Sequence, residues 1–299
     1  MNIQRFSFTA MTSPCELHLL GEPERCQAAA QAVEREVKRI EQKYSRYRDD
    51  SVLSDINRNA GTTTDIDAES HYLLNYAVIC WQQSEGLFDI SSGILRQAWN
   101  FREAALPAKE SLQPLLQRIG FDQAKLTANQ LTMPATMEID LGGIGKEYAA
   151  DRAANICREH GIHSGIVDLG GDLLVLGPKP DNSPWLLGVR HPRDPENAFA
   201  QLPVYEGGMA TSGDYERFFE LDGQRYCHLL NPKNGFPVNY WASITVLAPN
   251  CLLAGTFSSI AMLKQQDALP WLDEQGLHYL AIRPDGSHVA SAGAASGAS

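Results

Sequence analysis

Residues Met137 to Asp151 read MEIDLGGIGKEYAAD, and the fold turns on how this stretch is read. Apolar and acidic residues alternate up to Leu141, as in a strand. Gly142, Gly143 and Gly145 then form a glycine-rich turn, and the alanine-rich run after it reads as a helix. A strand, turn and helix in that order leave backbone N–H groups pointing into one space, beside the positive end of the helix dipole. Such junctions hold phosphates, and Lys146 adds a full charge. A tight turn that needs glycine for its backbone angles accounts for the same residues, so both readings stand at this point. The stretch is not a P-loop, because Glu147 rather than Ser or Thr follows the lysine. It also lacks the third glycine of a dinucleotide-binding turn, where Tyr148 stands.

The chain has 299 residues, enough for one large core or two modest ones. Its net charge of -11 argues against nucleic acid or an anionic membrane as the main partner, since both need a basic face. The six cysteines are scattered, with no C-x-x-C pair, and read as reduced. The opening MNIQRFSFTAM alternates like a strand and lacks the apolar centre of a leader. No window approaches an uninterrupted membrane span. Together these features predict a cytoplasmic protein.

Working outward, residues 3–20 predict two strands hinged at Thr12-Ser13-Pro14. Residues 24–43 carry Cys26, Ala30, Val33, Val37 and Ile40 at helical spacing. A second amphipathic helix is expected over 70–84, with Leu73, Ala77, Cys80 and Trp81 inward. Residues 102–130 suggest a peripheral helix and hairpin. His160-Gly161 stops the helix that follows the central turn, which is expected over 147–160. Residues 165–177 read as strand, double-glycine bend and strand; 185–190 and 243–248 as further strands; and Asp222-Gly223 as a hairpin turn. A small-residue helix is expected over 251–263, and 270–289 completes a sheet. The expectation is an α+β protein with mixed or antiparallel sheets packed on these helices, one functional unit over residues 1–289. The tail at 290–299 is of low complexity and is expected to be disordered.

Of the eight histidines, His228 stands out. It ends a strand and precedes Asn231-Pro232 and Asn234-Gly235, so its imidazole is either a satisfied core group or one that reaches a ligand. Several motifs then fall in a fixed order. They are Phe8-Thr9-Ala10-Met11; Ser45-Arg46-Tyr47 with Ser51, Ser54 and Asn57; and Phe88-Asp89-Ile90-Ser91-Ser92-Gly93. Asp140 to Lys146 follows, then Gly170-Gly171-Asp172, Ser212-Gly213-Asp214-Tyr215, and His228 to Pro237. On these residues the chain resembles the ApbE family, the FAD:protein FMN transferases, over nearly its whole length.

The resemblance implies an ApbE-type fold and an enzyme that splits FAD. FMN passes to a Ser or Thr of an acceptor flavoprotein, AMP is released, and Mg²⁺ assists. It places Met11, Tyr47, Leu87, Phe88, Asp89, Asp140, Lys146 and Leu229 on flavin-nucleotide-binding positions. His228 falls on the base that takes the acceptor hydroxyl's proton. The implied metal positions are the Gly143 carbonyl with Gly255, Ser258 and Ser259. Gly255 stands where the family carries an aspartate, Ser259 where it carries threonine, and Glu147 where it carries glycine. Thr12 replaces another usual glycine, Asn231 an aspartate and Asn234 a threonine. Losing the acid at 255 removes the only formal charge from that ligand set, and Glu147 puts an acid back near the phosphate turn. A working transferase and an FAD-binding relative without transfer activity are therefore both expected readings; a non-flavin scaffold would bind no FAD.

Overall fold

A computed structural model describes residues 2–101 and 103–292. Strands β1 (Ile3–Ala10) and β2 (Ser13–Leu20) form a hairpin, and the long helix α1 (Pro23–Tyr44) follows. Proline at the first turn suits a helix start, because its missing N–H would have no partner there. Cys26, Ala30, Val33, Val37 and Ile40 all face the core, as their spacing predicts. Next come α2 (Val52–Arg58), β3 (Thr63–Asp65), α3 (Ala68–Gln83), α4 (Lys109–Leu116), β4 (Lys125–Leu126) and β5 (Gln130–Thr132). The three short strands make a separate small sheet in the order β3-β5-β4.

Helix α5 (Gly145–Glu159) leads into β6 (Gly165–Leu169) and β7 (Asp172–Gly177). The remaining elements are β8 (Trp185–His191), β9 (Asp194–Val204), β10 (Gly207–Gly213), β11 (Phe218–Leu221), β12 (Gln224–Cys227), β13 (Ser243–Ala248), α6 (Cys251–Lys264), α7 (Ala268–Glu274), β14 (His278–Ile282) and β15 (His288–Ala290). Eight strands form the central sheet, in the order β1-β2-β6-β7-β10-β13-β14-β15, with every pair antiparallel. Strand β15 extends order to Ala290, just past the expected limit at 289; the rest of the tail expectation falls mainly on 293–299, outside the described residues.

The sheet is buried on both faces, and the period of two shows it. Leu174, Leu176, Ile244, Val246, Tyr279 and Ala281 pack with the helices, whereas the intervening Val175, Leu280 and Ile282 pack with Trp185, Leu187, Val189, Leu202 and Val204 of the β8–β9 ribbon. This explains why β14 carries an unbroken apolar run from Tyr279 to Ile282. Helix α6 is apolar nearly all round because it lies against β10 and β13 below and α5 and α7 alongside. Ala149, Ala150, Ala153 and Ala154 of α5 are fully buried, so that helix approaches α1 and α6 closely. The order of layers thus fixes the first turns of α5 and α6 against each other.

A satellite cluster joins α4 and the Ser92–Gln97 turn to the β11–β12 hairpin through Trp99, Leu112, Leu115 and Phe219. The Trp99 indole donates to the Gly235 carbonyl at 2.7 Å. This cluster anchors the segment that carries His228.

Candidate active site

The central stretch corrects one expectation. Residues 137–141 alternate in burial but pair with no strand. The Asn57 side chain takes the place of a neighbouring strand, accepting from Ile139 N–H at 2.8 Å and donating to its carbonyl at 2.9 Å. Asp140 N–H donates to the Ile90 carbonyl at 2.8 Å. An amide side chain can satisfy both backbone groups of one residue, which a periodicity argument cannot foresee. The turn itself is also less open than the sequence suggests. Ile144 and Gly145 N–H groups close onto the Leu141 carbonyl at 3.0 and 2.8 Å. Gly142 N–H donates to Asp140 Oδ1 at 2.9 Å.

Asp140 is the hub of the outer wall. Its second oxygen pairs with Arg46. The Arg46 guanidinium lies 4.8 Å from the Tyr47 ring centroid and donates to the Tyr47 hydroxyl at 2.7 Å. Tyr47 is 70% exposed, a ring held out in solvent by one guanidinium. Arg46, with Arg217 beside it, holds the phenol below its ordinary pKa. The site expectations overlooked Arg46, although it lies inside the quoted Ser45-Arg46-Tyr47 motif. Gly93 is glycine for lack of room: a Cβ there would come within 2.8 Å of the Asp140 Cβ.

Asp89 is 6% exposed and fully engaged. It accepts from Ser91 N–H (2.8 Å), Ser91 Oγ (2.6 Å), Trp81 Nε1 (3.1 Å) and Phe121 N–H (3.1 Å). Its carboxylate fixes the loop that presents Leu87 and Phe88. The Phe88 ring lies 3.4 Å from where a Cβ on Gly143 would be, which joins this loop to the glycine turn. Leu87 and Leu229 are half-buried against the main core.

Lys146 turns away from the turn's mouth. It pairs with Asp172 at 2.9 Å and donates to the Gly170 carbonyl at 3.2 Å. Burial works against its charge, but Asp172 and Glu147 more than offset this and hold the ammonium above its ordinary pKa. The Met11–Thr12 turn abuts the same place: Ser13 and the Lys146 Nζ both crowd Gly170. Met11 and Thr12 carry φ of 51° and 59°, and the Met11 N–H is held by Glu41 at 2.7 Å. Left-handed backbone at a β-branched threonine is strained, and the usual glycine would relieve it.

Glu147 is 7% exposed, and its Oε2 is buried without a partner. Burial, with the Asp172 charge added, pushes its carboxyl up to about 8. It lies against Gly255 of α6. A Cβ at 255 would fall on the Glu147 Cγ, within 3.0 Å of Oε1 and 3.1 Å of the carboxyl carbon. One turn along α6, Ser258 and Ser259 share the Ser212 hydroxyl at 2.8 and 2.9 Å, and Ser258 Oγ donates to the Gly255 carbonyl at 2.9 Å. Among the described residues no three His, Cys, Asp or Glu side chains cluster to hold a metal.

His228 follows β12, its backbone N–H donating to the Arg217 carbonyl at 2.9 Å. Its Nδ1 is buried without a partner. Burial first, and the Arg217 charge second, lower its pKa, so the ring is neutral at pH 7. Arg217 thereby links His228 to Tyr47. A cavity of about 420 Å³ opens beside the β11–β12 hairpin, lined by Arg193, Asp214 and Arg225 among others. It holds none of the expected site residues, and Arg193 locks its Asp214 at 2.6 and 2.7 Å. All six cysteines are buried and unpaired. No helix among the described residues is long and apolar enough to cross a membrane.

An antiparallel sheet with helices on one face, and a glycine turn opening α5, make an α+β scaffold. The profile of the ApbE family matches residues 11–281, and the chain belongs to that family. A Treponema pallidum protein named FAD:protein FMN transferase is 33% identical over 278 residues, covering 82% of this chain and 74% of its own. A Haemophilus influenzae protein of the same name is 29% identical, covering 88% and 81%. The crystal structure of the ApbE protein from Thermotoga maritima superposes with a TM-score of 0.89 at 27% identity, covering 97% of both chains.

Proposed function

We propose that this chain is an FAD:protein FMN transferase, with residues 1–289 acting as one unit. Its relatives bear that name. The observation that carries the reading is His228: an imidazole kept neutral by burial, with Nδ1 sealed inside and so Nε2 left to receive a proton. In the reaction, the hydroxyl oxygen of an acceptor Ser or Thr attacks the FMN phosphorus of FAD. The bond from that phosphorus to the bridging oxygen breaks, AMP leaves with the electron pair, and the hydroxyl proton passes to His228.

Transfer of this kind depends on positioning and charge neutralisation. Tyr47 offers a ring face for stacking, steadied by Arg46. Met11, Leu87, Phe88 and Leu229 shape the apolar walls, and Asp89 and Asp140 hold the loops in place. Lys146, placed by the resemblance on a flavin-nucleotide position, has its charge paired with Asp172 and so serves the diphosphate side by steadying the start of α5. Mg²⁺, when bound, would neutralise diphosphate charge, with the Gly143 carbonyl and the Ser258 and Ser259 hydroxyls as oxygen donors. Gly255 adds no side-chain donor, so that set fits a dication only where a neighbouring carboxylate completes it, and the open Glu147 oxygen is such a group. The acceptor is a second, cytoplasmic or inward-facing flavoprotein.

Incubation with FAD, Mg²⁺ and a candidate acceptor domain tests the reading. Mass spectrometry should show the acceptor gaining FMN, with AMP in the supernatant. The bare Gly255 favours a second reading, an FAD carrier without transfer. Calorimetry showing FAD binding indifferent to Mg²⁺, with no AMP ever released, would establish that reading instead.

A further inference from the structure

We infer that Glu147 supplies the carboxylate of a divalent-cation site between α5 and α6, occupying the space that a side chain at position 255 would otherwise fill. This rests on the reading of the site as one that handles a diphosphate with a hard cation. Three observations on the molecule carry it. The first is exclusion. Glu147 and any side chain at 255 compete for one volume, because a Cβ at 255 would meet the Glu147 Cγ. The two helices cross so that either can deliver an acid to that volume, but not both.

The second is the state of the carboxylate. Oε2 is buried and receives no hydrogen bond. The nearest cation, Lys146, is already committed to Asp172 at 2.9 Å. A buried carboxylate oxygen without a donor is costly unless a cation or proton reaches it.

The third is the company it keeps. Residues 255, 258 and 259 are three and four apart on α6 and share one face. Helical side chains also lean toward the N-terminus, so the serines lean back toward Gly255 and the carboxylate against it. Their hydroxyls, with Ser212, already form one cluster. A carboxylate, hydroxyls and a backbone carbonyl are the all-oxygen donors that Mg²⁺ and Mn²⁺ take.

The experiment is Mn²⁺ titration of the full chain in the presence of FAD, followed by the loss of the free-ion electron paramagnetic resonance signal. The natural chain, Glu147→Gln, and the exchanged pair Glu147→Gly with Gly255→Asp are compared, each checked for folding by circular dichroism. The natural chain should bind Mn²⁺, Glu147→Gln should bind roughly tenfold or more weakly, and the exchanged pair should recover to within about threefold of the natural chain. Equal binding by Glu147→Gln, or an exchanged pair as weak as Glu147→Gln, would overturn the inference. So would a natural chain that binds no Mn²⁺. In each of those cases mass spectrometry of the acceptor still decides the transfer reading independently, since it registers FMN and not metal.

Discussion

Asp89 and Glu147 are equally buried, at 6% and 7% exposure, and yet they are opposites. Asp89, in the loop before the Ser92–Gln97 turn, receives four donors and has no capacity left. Glu147, at the start of α5, keeps an oxygen with none. A buried acid that only builds structure is filled during folding, because each unmet lone pair costs stability. An acid left open in a packed interior keeps the capacity to take a cation or a proton. Among the described residues four buried side-chain polar atoms lack partners, and two of them, Glu147 Oε2 and His228 Nδ1, belong to the candidate site. The others are Ser243 Oγ and Trp271 Nε1.

Breaking this contrast should give effects of very different size. His228→Ala should slow FMN transfer about a hundredfold to ten-thousandfold with the melting curve little changed, as single-turnover assays will show. In the natural enzyme the rate should hold above the ordinary histidine range and fall only in acid, because the lowered pKa keeps the base deprotonated at neutral pH. Asp89→Ala leaves four donors facing nothing and should cost about 3 kcal/mol in urea denaturation. Gly255→Ala should cost about 2 kcal/mol by overpacking against Glu147. Adding Glu147→Gly should return most of that loss in a double-mutant cycle.

A third acid sharpens the comparison. Glu69 is filled by charge: Arg39 at 2.6 Å, Lys43 at 2.7 Å and the Tyr148 hydroxyl at 2.9 Å. Burial alone would raise its pKa, but these partners outweigh burial and bring it down to about 2. Its stabilisation is therefore complete above its unfolded pKa and lost as pH falls from about 4.5 toward 2. Glu69→Gln should flatten that acid limb by roughly 1–2 kcal/mol, after allowance for solvent screening. Glu147→Gln should shift stability by less than about 1 kcal/mol, since no bond is lost at Oε2. A large destabilisation there would mean the acid is structural after all.

Local periodicity made most of the fold legible. The four long helices lie within a few residues of their expected spans, and the 243–248 strand is where its sequence puts it. Asp222 and Gly223 turn the β11–β12 hairpin with φ of 52° and 76°, as their identities require. One failure is local, since residues 270–274, expected in a sheet, belong to α7; the others are non-local. Residues 137–141 carry strand periodicity without a strand, because Asn57, far away in sequence, takes up the bonds of Ile139. Strand β9 is exposed or half-buried up to Gln201, so it carried no apolar alternation to read. Within the site, the departures at 147 and 255 were visible as residues, but that they contend for one volume is a property of two crossing helices. Arg46 was hidden for the same reason, since its partner Asp140 lies in another segment.

The order of strands in the central sheet also sets a timetable for the nascent chain. Cys15 to Leu19 emerge early from the ribosome, yet their partners are Gly165 to Leu169, and the serines of α6 come later still. At about 5–20 residues per second, on the order of 10–50 s separates the synthesis of Met11 from that of Ser259. Until β6 emerges the β2 edge that it covers is bare, and until α6 emerges one wall of the candidate site is missing, so a product truncated before Cys251 would lack that wall.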